Sequence, residues 1–311
     1  MKVKSKAAKK STKNRDRFLR ELPLYIMLLP AVILVLIYSY GSMVGTVIAF
    51  QNFSPANGLF GSEWVGFKNF QNLFSMPNIW PVIRNTVLIA LAKMIGGVVV
   101  PVTFALLLNE IPRSSVKRIY QTLVYMPNFL SWVILAGIFV DILSPSSGVV
   151  SQILGVFGIK CPFFLGDAKW FPGTMVVTDI WKGFGFGSVI YLAALTGVDP
   201  ALYESAAIDG AGRLRQTWHI TLPGILSTIV LMTVLSMANI LNGGFDQIYN
   251  MYSPAVYSTG DILDTFVFRL GIENAQYALS TAAGLFKSAV SFVFIVASYW
   301  LADRFAGYRI F

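Results

Sequence analysis

Hydrophobic residues in this chain form long, nearly unbroken stretches instead of the short alternating patterns of a soluble core. A membrane-spanning helix needs about 20 mostly apolar residues. Six windows meet that requirement, at residues 22–50, 86–108, 122–143, 174–196, 223–241 and 281–302. The fourth is the weakest, because Lys182 and several glycines interrupt it. The pattern predicts an all-α integral membrane protein with six transmembrane helices.

The composition agrees with a membrane protein and excludes other classes. Of 311 residues, 55% are hydrophobic and 13% are charged, whereas average proteins carry about 25% charged residues. So few charges cannot give a chain of this size a soluble surface, and disordered chains are poor in apolar residues. Because the chain has one cysteine and one histidine, a Cys/His zinc site is excluded as well.

The distribution of positive charge predicts the orientation of the spans. With both termini inside, the inside segments hold 16 Lys and Arg and the outside segments hold 5, and cytoplasmic loops are the ones enriched in these residues. Nine of the 16 lie in the first 20 residues, which is typical of an arm attracted to anionic membrane lipid rather than to nucleic acid. We predict a basic cytoplasmic arm, a six-span domain and a cytoplasmic tail, at residues 1–21, 22–302 and 303–311.

The segment 198–223, between the fourth and fifth windows, predicts a helix, a turn and a second helix. Asp199 suits an N-cap and Pro200 suits the first helical turn. Gly210 can take the left-handed conformation that ends a helix. The segment offers no nucleophile–base pair and no metal-ligand cluster, so it is a candidate for insertion into a cleft on another protein.

This segment resembles a known signature. The run Glu204-Ser-Ala-Ala-Ile-Asp-Gly-Ala211, followed by Leu222-Pro223, is similar to the EAA motif of permease subunits of bacterial ATP-binding-cassette (ABC) importers, with Ser205 where alanine is usual. The six-span layout extends the resemblance to most of the chain. Looser motifs resemble the maltose-type and polysaccharide-permease subgroup that imports carbohydrates, at residues 109–112, 125–127, 129–132 and 143–148.

The resemblance implies a type I importer permease fold in the bacterial cell membrane, with segment 198–223 as the cytoplasmic coupling helix. The residues it assigns to ATPase coupling are Tyr203, Glu204, Ser205, Ala206, Ala207, Asp209, Gly210, Ala211 and Arg213. It implies four kinds of partner: a second related permease, two cytoplasmic ABC ATPase subunits, an extracellular solute-binding protein and an oligosaccharide. The chain has no P-loop motif, so we expect a transport subunit without a cofactor, with ATP and magnesium on the ATPase.

Charged residues inside the windows are candidates for the substrate path, because charges within a membrane usually face a cavity or a partner. Asp179 and Lys182 are three positions apart and are predicted to pair. An excess of lysines over acids in the spans indicates an acidic, uronate-containing oligosaccharide, although a structural role for the lysines stays open. The full set of path candidates is Lys93, Trp132, Asp179, Trp181, Lys182, Tyr191, Asn239, Asn242, Phe245, Asp246 and Lys287.

Two other functions fit parts of the pattern. A secondary transporter of a small polar solute would also have intramembrane charges and a glycine-interrupted span, but many such folds carry an inverted repeat and the sequence shows none. A membrane enzyme would need a partner for His219, which has no acid or nucleophile at a telling spacing.

Outside, residues 64–74 predict a turn and a surface helix that serves as an aromatic anchor or a docking face.

Overall fold

The computed structural model describes residues 21–237 and 241–306, and side chains as far as residue 300. Within these ranges the chain is mostly helical, as predicted. In chain order the helices are α1 (Glu21–Phe50), α2 (Gly58–Gly61), α3 (Lys68–Ser75), α4 (Ile79–Asn109), α5 (Ser114–Tyr125), α6 (Trp132–Ile142), α7 (Val149–Val156), α8 (Phe171–Leu195), α9 (Pro200–Ile208), α10 (Arg213–Gly224), α11 (Leu226–Met237), α12 (Phe245–Met251), α13 (Tyr257–Gly260), α14 (Leu263–Phe268) and α15 (Tyr277–Ala306).

Three helices, α1, α4 and α15, are each long and apolar enough to cross a membrane. Three further spans are possible if each bent pair of helices counts as one. The bends are 103° between the α5 segment and α6, 75° between α8 and α9, and 59° between α10 and α11. The prediction of six spans is confirmed on this count.

The sequence left open whether the glycines of the fourth window break its helix or allow close packing, and it did not indicate a break in the third. The third window is interrupted at Leu130–Ser131, whereas the fourth forms one continuous helix, α8. The glycines of α8 allow close packing instead of breaking the helix: a Cβ on Gly185 would lie 2.3 Å from the backbone oxygen of Val124 on α5. The described part of the fifth span ends at Met237, and Asn239 lies outside the described residues.

The segment after α1 forms a small outer layer. Strands β1 (Gln51–Asn52) and β2 (Glu63–Trp64) pair antiparallel, and α3 follows the turn at Gly66 as predicted. Phe50 stacks on Trp64 at 5.6 Å between ring centroids. The Asn69 amide donates to the backbone oxygens of Ala49 and Gln51 at 2.9 Å, which fixes α3 to the end of α1.

The centre of the bundle is the pair α4 and α8, which pack along much of their length. An apolar cluster of Val102, Ala105, Tyr191, Leu195 and Ile225 joins their far ends to α10 and α11. A second cluster joins their other ends to α12 and the segment before α14. The two clusters pack α4 and α8 together on either side of a polar region at mid-length, where Lys93 and Asp179 meet.

Candidate functional site

Helix α9 begins and ends with the groups that the sequence predicts. The Asp199 carboxylate accepts a hydrogen bond from the backbone nitrogen of Ala201 at 2.9 Å, as an N-cap does. Gly210 has φ of 76°, and the Ala211 nitrogen donates back to the Ala206 oxygen at 2.8 Å. This left-handed ending turns the chain sharply after α9.

The second half of the loop packs back under α9. The Tyr203 hydroxyl donates to Thr221 Oγ1 at 2.9 Å, and the Gln216 amide donates to the Ala211 oxygen at 3.0 Å. An exposed ion pair joins Arg213 to Glu110 at the end of α4, with 2.5 Å between Nη1 and Oε2. The loop is therefore a folded unit tied to the bundle, although neither Thr221 nor Glu110 belongs to the motif that indicated it.

The outer surface of this loop carries apolar side chains without a covering element among the described residues. Ile208 is 87% exposed and Leu214 is 75% exposed, and Leu202 and Trp218 are also exposed. Glu204 is exposed beside them and makes no hydrogen bond or ion pair with any described residue. A carboxylate among exposed apolar groups is the chemistry of a docking surface. We call residues 199–218 the docking loop.

A second polar region lies between α4, α8 and the break that follows α11. Lys93 is 9% exposed, and its ammonium group donates to the backbone oxygen of Gly243 at 2.9 Å and to Gln247 Oε1 at 2.5 Å. Asp179 Oδ1 lies 3.4 Å from the same nitrogen. Two hydrogen bonds and one ion pair therefore surround the ammonium group of the buried lysine. We call Lys93, Asp179, Gly243 and Gln247 the lysine cluster.

The break in the fifth span is what makes the lysine cluster possible. Gly244 has φ of 87°, and a Cβ there would lie 2.7 Å from Lys93 Nζ, so only glycine fits. Unwound backbone at membrane depth is tolerated where it is buried or lines a cavity. Gln247, which was not among the residues predicted from the sequence, is fully buried and also donates to Thr178 Oγ1 at 2.7 Å. The pair Gly243–Gly244 was the feature of the sequence that could have indicated the break in the fifth span.

The predicted ion pair between Asp179 and Lys182 is wrong. Asp179 pairs with Lys93, as described, because α4 approaches α8 closely on that side. Lys182 donates instead to the backbone oxygen of Asn128, at 3.2 Å, and lies over the Trp132 ring at 5.3 Å from its centroid. The two charged residues of α8 therefore contact different parts of the chain: Asp179 contacts α4, and Lys182 contacts the residues around the bend before α6.

The remaining membrane lysine also has an acidic partner that the sequence analysis overlooked. Lys287 on α15 forms an ion pair with Asp264 on α14 and donates to Asn242 Oδ1 at 3.1 Å. Asn242 lines a cavity of about 400 Å³ that Lys93 and Asp179 also line, with Met232 and Ser236 of α11. The structure thus brings Lys93, Asp179, Asn242 and Lys287 into one neighbourhood.

The other path candidates lie elsewhere. Tyr191 is 2% exposed in an apolar cluster, where it acts as a core residue. Trp181 packs on Phe139 and lines a separate apolar cavity of about 490 Å³ between α6, α7 and α8. Phe245 and Asp246 belong to α12 rather than to a continuous fifth span, and Phe245 stacks on Tyr249 at 5.1 Å.

A buried ion pair between Asp261 and Arg269 holds the segment between α12 and α15 together. Asp261 is 2% exposed, and its carboxylate accepts hydrogen bonds from Arg269 and Thr265. Burial lowers the pKa of Arg269, but the hydrogen bond and charge of Asp261 outweigh it, so this pKa lies above its ordinary value. Burial, together with a hydrogen bond to Tyr257, raises the pKa of Tyr252. Both pKa values move away from neutrality, so Arg269 stays charged and Tyr252 stays neutral at pH 7.

Charges gathered around a cavity, in a bundle with up to six spans, are features of a transport protein. Among the described residues no group of His, Cys, Asp and Glu could hold a metal ion. Residues 97–307 match the family model described as the binding-protein-dependent transport system inner membrane component, and this chain belongs to that family. The family indicated by the loop motif is thus confirmed.

Relatives and solved structures extend the match over most of the chain. It is 40% identical over 282 residues to the polygalacturonan/rhamnogalacturonan transport system permease protein YteP of Bacillus subtilis, covering 91% of this chain and 88% of YteP. A chain of a bacterial ABC transporter involved in the import of the acidic polysaccharide alginate is 37% identical, with a TM-score of 0.86 over 94% of this chain and 99% of that one. A chain of the bacterial alginate ABC transporter in complex with an alginate pentasaccharide-bound periplasmic protein is also 37% identical. Its TM-score is 0.84, over 93% of this chain and 96% of that one.

Proposed function

We propose that this chain is the permease subunit of a bacterial ABC importer that moves an acidic oligosaccharide into the cell. It would act beside a second, related permease and receive substrate from an extracellular solute-binding protein. Two cytoplasmic ATPase subunits would supply energy, since the chain itself has no P-loop. The family membership favours this importer over a secondary transporter.

The observation that carries the coupling part of this proposal is the docking loop. Its backbone is ordered by its own hydrogen bonds, from the Asp199 cap to the Tyr203–Thr221 contact. Its outward groups, Glu204 and the exposed Ile208 and Leu214, lack partners among the described residues. A rigid loop with an unpaired carboxylate and exposed apolar groups can transmit the movement of a partner to α8 and α10. We assign that partner as the ATPase.

The preference for an acidic sugar is supported by the relatives. YteP is named for polygalacturonan and rhamnogalacturonan, and the structural neighbours belong to a transporter of alginate. The charge argument from the sequence is weaker than expected, because Lys93 and Lys287 are each paired with a carboxylate. Lys182 has no acidic partner among the described residues, so its charge still supports an acidic substrate.

The orientation follows from charge. A docking loop in contact with cytoplasmic ATPases requires residues 199–218 to lie inside, and the positive-inside count supports the same side for both termini. In right-side-out vesicles, an impermeant lysine reagent added outside should label Lys68 and Lys160 and leave the lysines of residues 1–21 unlabelled.

The test uses the complete transporter, purified from its native membrane through a tag on this chain and reconstituted in liposomes. We expect its ATP hydrolysis to rise several-fold when the binding protein is loaded with oligogalacturonate or oligoalginate. A neutral oligosaccharide of the same length is the matched control. Stimulation by neutral sugars alone would overturn the acidic substrate class, and an assembled complex that responds to no oligosaccharide would overturn the transport role.

A further inference from the structure

The three lysines within the predicted spans differ in how their charge is balanced. Lys93 is paired with Asp179, and Lys287 is paired with Asp264. Lys182 has one acceptor among the described residues, the backbone oxygen of Asn128 at 3.2 Å, and no carboxylate. An ammonium group has three N–H donors, so two donors of Lys182 remain available.

The depth of Lys182 makes this imbalance costly in lipid. It is the twelfth residue of the 25-residue helix α8, roughly 17 Å from one end and 20 Å from the other at 1.5 Å per residue. A cation near the middle of a bilayer faces a water-filled cavity or another protein rather than lipid tails. The side of α8 that carries Lys182 therefore does not face lipid, and we take it as a wall of the path.

Aromatic side chains surround this lysine at the break of the third span. Trp132 is the first residue of α6, just past the 103° bend, and Lys182 Nζ lies 5.3 Å from the centroid of its ring. One turn further along α8, Phe186 is 51% exposed and contacts Phe129, which is 76% exposed, at 6.3 Å between centroids. Exposed ring surface beside an unpaired cation suits a carboxylated pyranose, because sugar C–H groups pack on rings and a carboxylate accepts from an ammonium.

We propose that Lys182 and Trp132 form a binding subsite for one uronate residue of the transported oligosaccharide. The uronate carboxylate accepts hydrogen bonds from the two available donors of Lys182, and the apolar face of the sugar packs on the exposed part of the indole. The contact is non-covalent, and the Asn128 carbonyl keeps the ammonium in place. This subsite rests on the proposed function and adds the residues that read the acidic group.

The other two lysines are poorer candidates for this role. A substrate carboxylate would first have to displace Asp179 from Lys93 or Asp264 from Lys287, and removing one partner from a buried ion pair is unfavourable. Lys182 requires no displacement. It therefore sets the preference for acidic over neutral oligosaccharides.

The test compares uptake of acidic and neutral oligosaccharides of equal length by the complete transporter in liposomes. We expect Lys182→Met to lower the ratio of acidic to neutral uptake at least tenfold and Lys182→Arg to keep it within threefold of the unmodified protein. Trp132→Leu lowers uptake of both sugars, seen as a higher KM. Lys160→Met removes an exposed lysine of the segment between α7 and α8 and leaves the ratio unchanged. The binding protein is the same in every arm, so its own preference cancels.

Each result has one meaning. An unchanged ratio in Lys182→Met, or an equal loss of both sugars, overturns the subsite, since the latter is what a purely structural lysine gives. If Lys182→Met fails to assemble, Lys182→Gln keeps a donor for Asn128 and tests the same ratio. Absence of acidic uptake in the unmodified transporter overturns the proposed substrate class and the subsite with it, before any variant is compared.

Discussion

The docking loop and the lysine cluster satisfy their polar groups in opposite ways. In the docking loop the hydrogen bonds join residues at most 18 positions apart, except the exposed charged contact of Arg213 with Glu110. In the lysine cluster the contacts join residues 69 to 154 positions apart, and the charge is balanced within the chain. The loop leaves Glu204 for a partner, whereas the cluster leaves no cation unpaired.

This difference separates the roles of the two regions. A region whose charges are balanced internally holds helices together, because loss of one member leaves a buried charge behind. In a region with an ordered backbone and unpaired outward groups, those groups form favourable interactions only when another protein binds. Substitutions in the lysine cluster should therefore affect stability first, and substitutions on the docking loop should affect function first.

The largest effect is expected from removing Asp179. Asp179→Leu leaves Lys93, which is 9% exposed, with two neutral acceptors and no counter-charge. We expect a loss of about 2–4 kcal/mol of stability, measured as a lower unfolding temperature of the purified complex in lipid nanodiscs.

Two controls make this result specific. Asp141→Leu removes an exposed acid near the end of α6 that has no ion pair among the described residues, and it should change stability by less than about 0.5 kcal/mol. The double variant Lys93→Met/Asp179→Leu removes both charges and should recover most of the loss. Equal destabilisation by Asp141→Leu, or no recovery in the double variant, would mean that the ion pair does not hold the cluster.

The contrast also explains what could be predicted from the sequence. The docking loop was predictable because caps, turns and the EAA motif are local: Asp199, Gly210 and the helix between them lie where expected. The lysine cluster was not, because helical spacing pairs Asp179 with Lys182 and gives no sign of α4. Packing against α4 decided the partner instead. Gly185 is a related case: the sequence left open a break in α8 or a close approach of another helix, and packing against α5 decided for the approach.

A smaller effect on stability and a clear effect on function are expected at Glu204. Glu204→Lys reverses the charge of an exposed residue of α9, so stability should change by less than about 0.5 kcal/mol. We expect substrate-stimulated ATP hydrolysis to fall at least tenfold, because the carboxylate no longer meets the ATPase. Glu63→Lys, an exposed acid of β2 on the opposite side of the predicted membrane, is the control and should keep full stimulation. Normal uptake by well-expressed Glu204→Lys would count against the docking role.

The smallest effect is expected at the turn of the docking loop. Two glycines, two positions apart, test whether the left-handed conformation of Gly210 orders the loop. Gly210 has φ of 76° and Gly212 has φ of −68°, and a Cβ at either would meet nothing within 4 Å. Gly210→Ala should therefore cost about 1 kcal/mol through backbone strain alone, while Gly212→Ala should be neutral or slightly stabilising. Because the strain is confined to the turn, we expect hydrogen exchange in residues 200–211 to be about fivefold faster in Gly210→Ala only, with the exchange of α4 unchanged. Equal exchange in the two variants would show that the left-handed turn does not order the loop, and faster exchange in α4 would show that the loop and the lysine cluster are not independent.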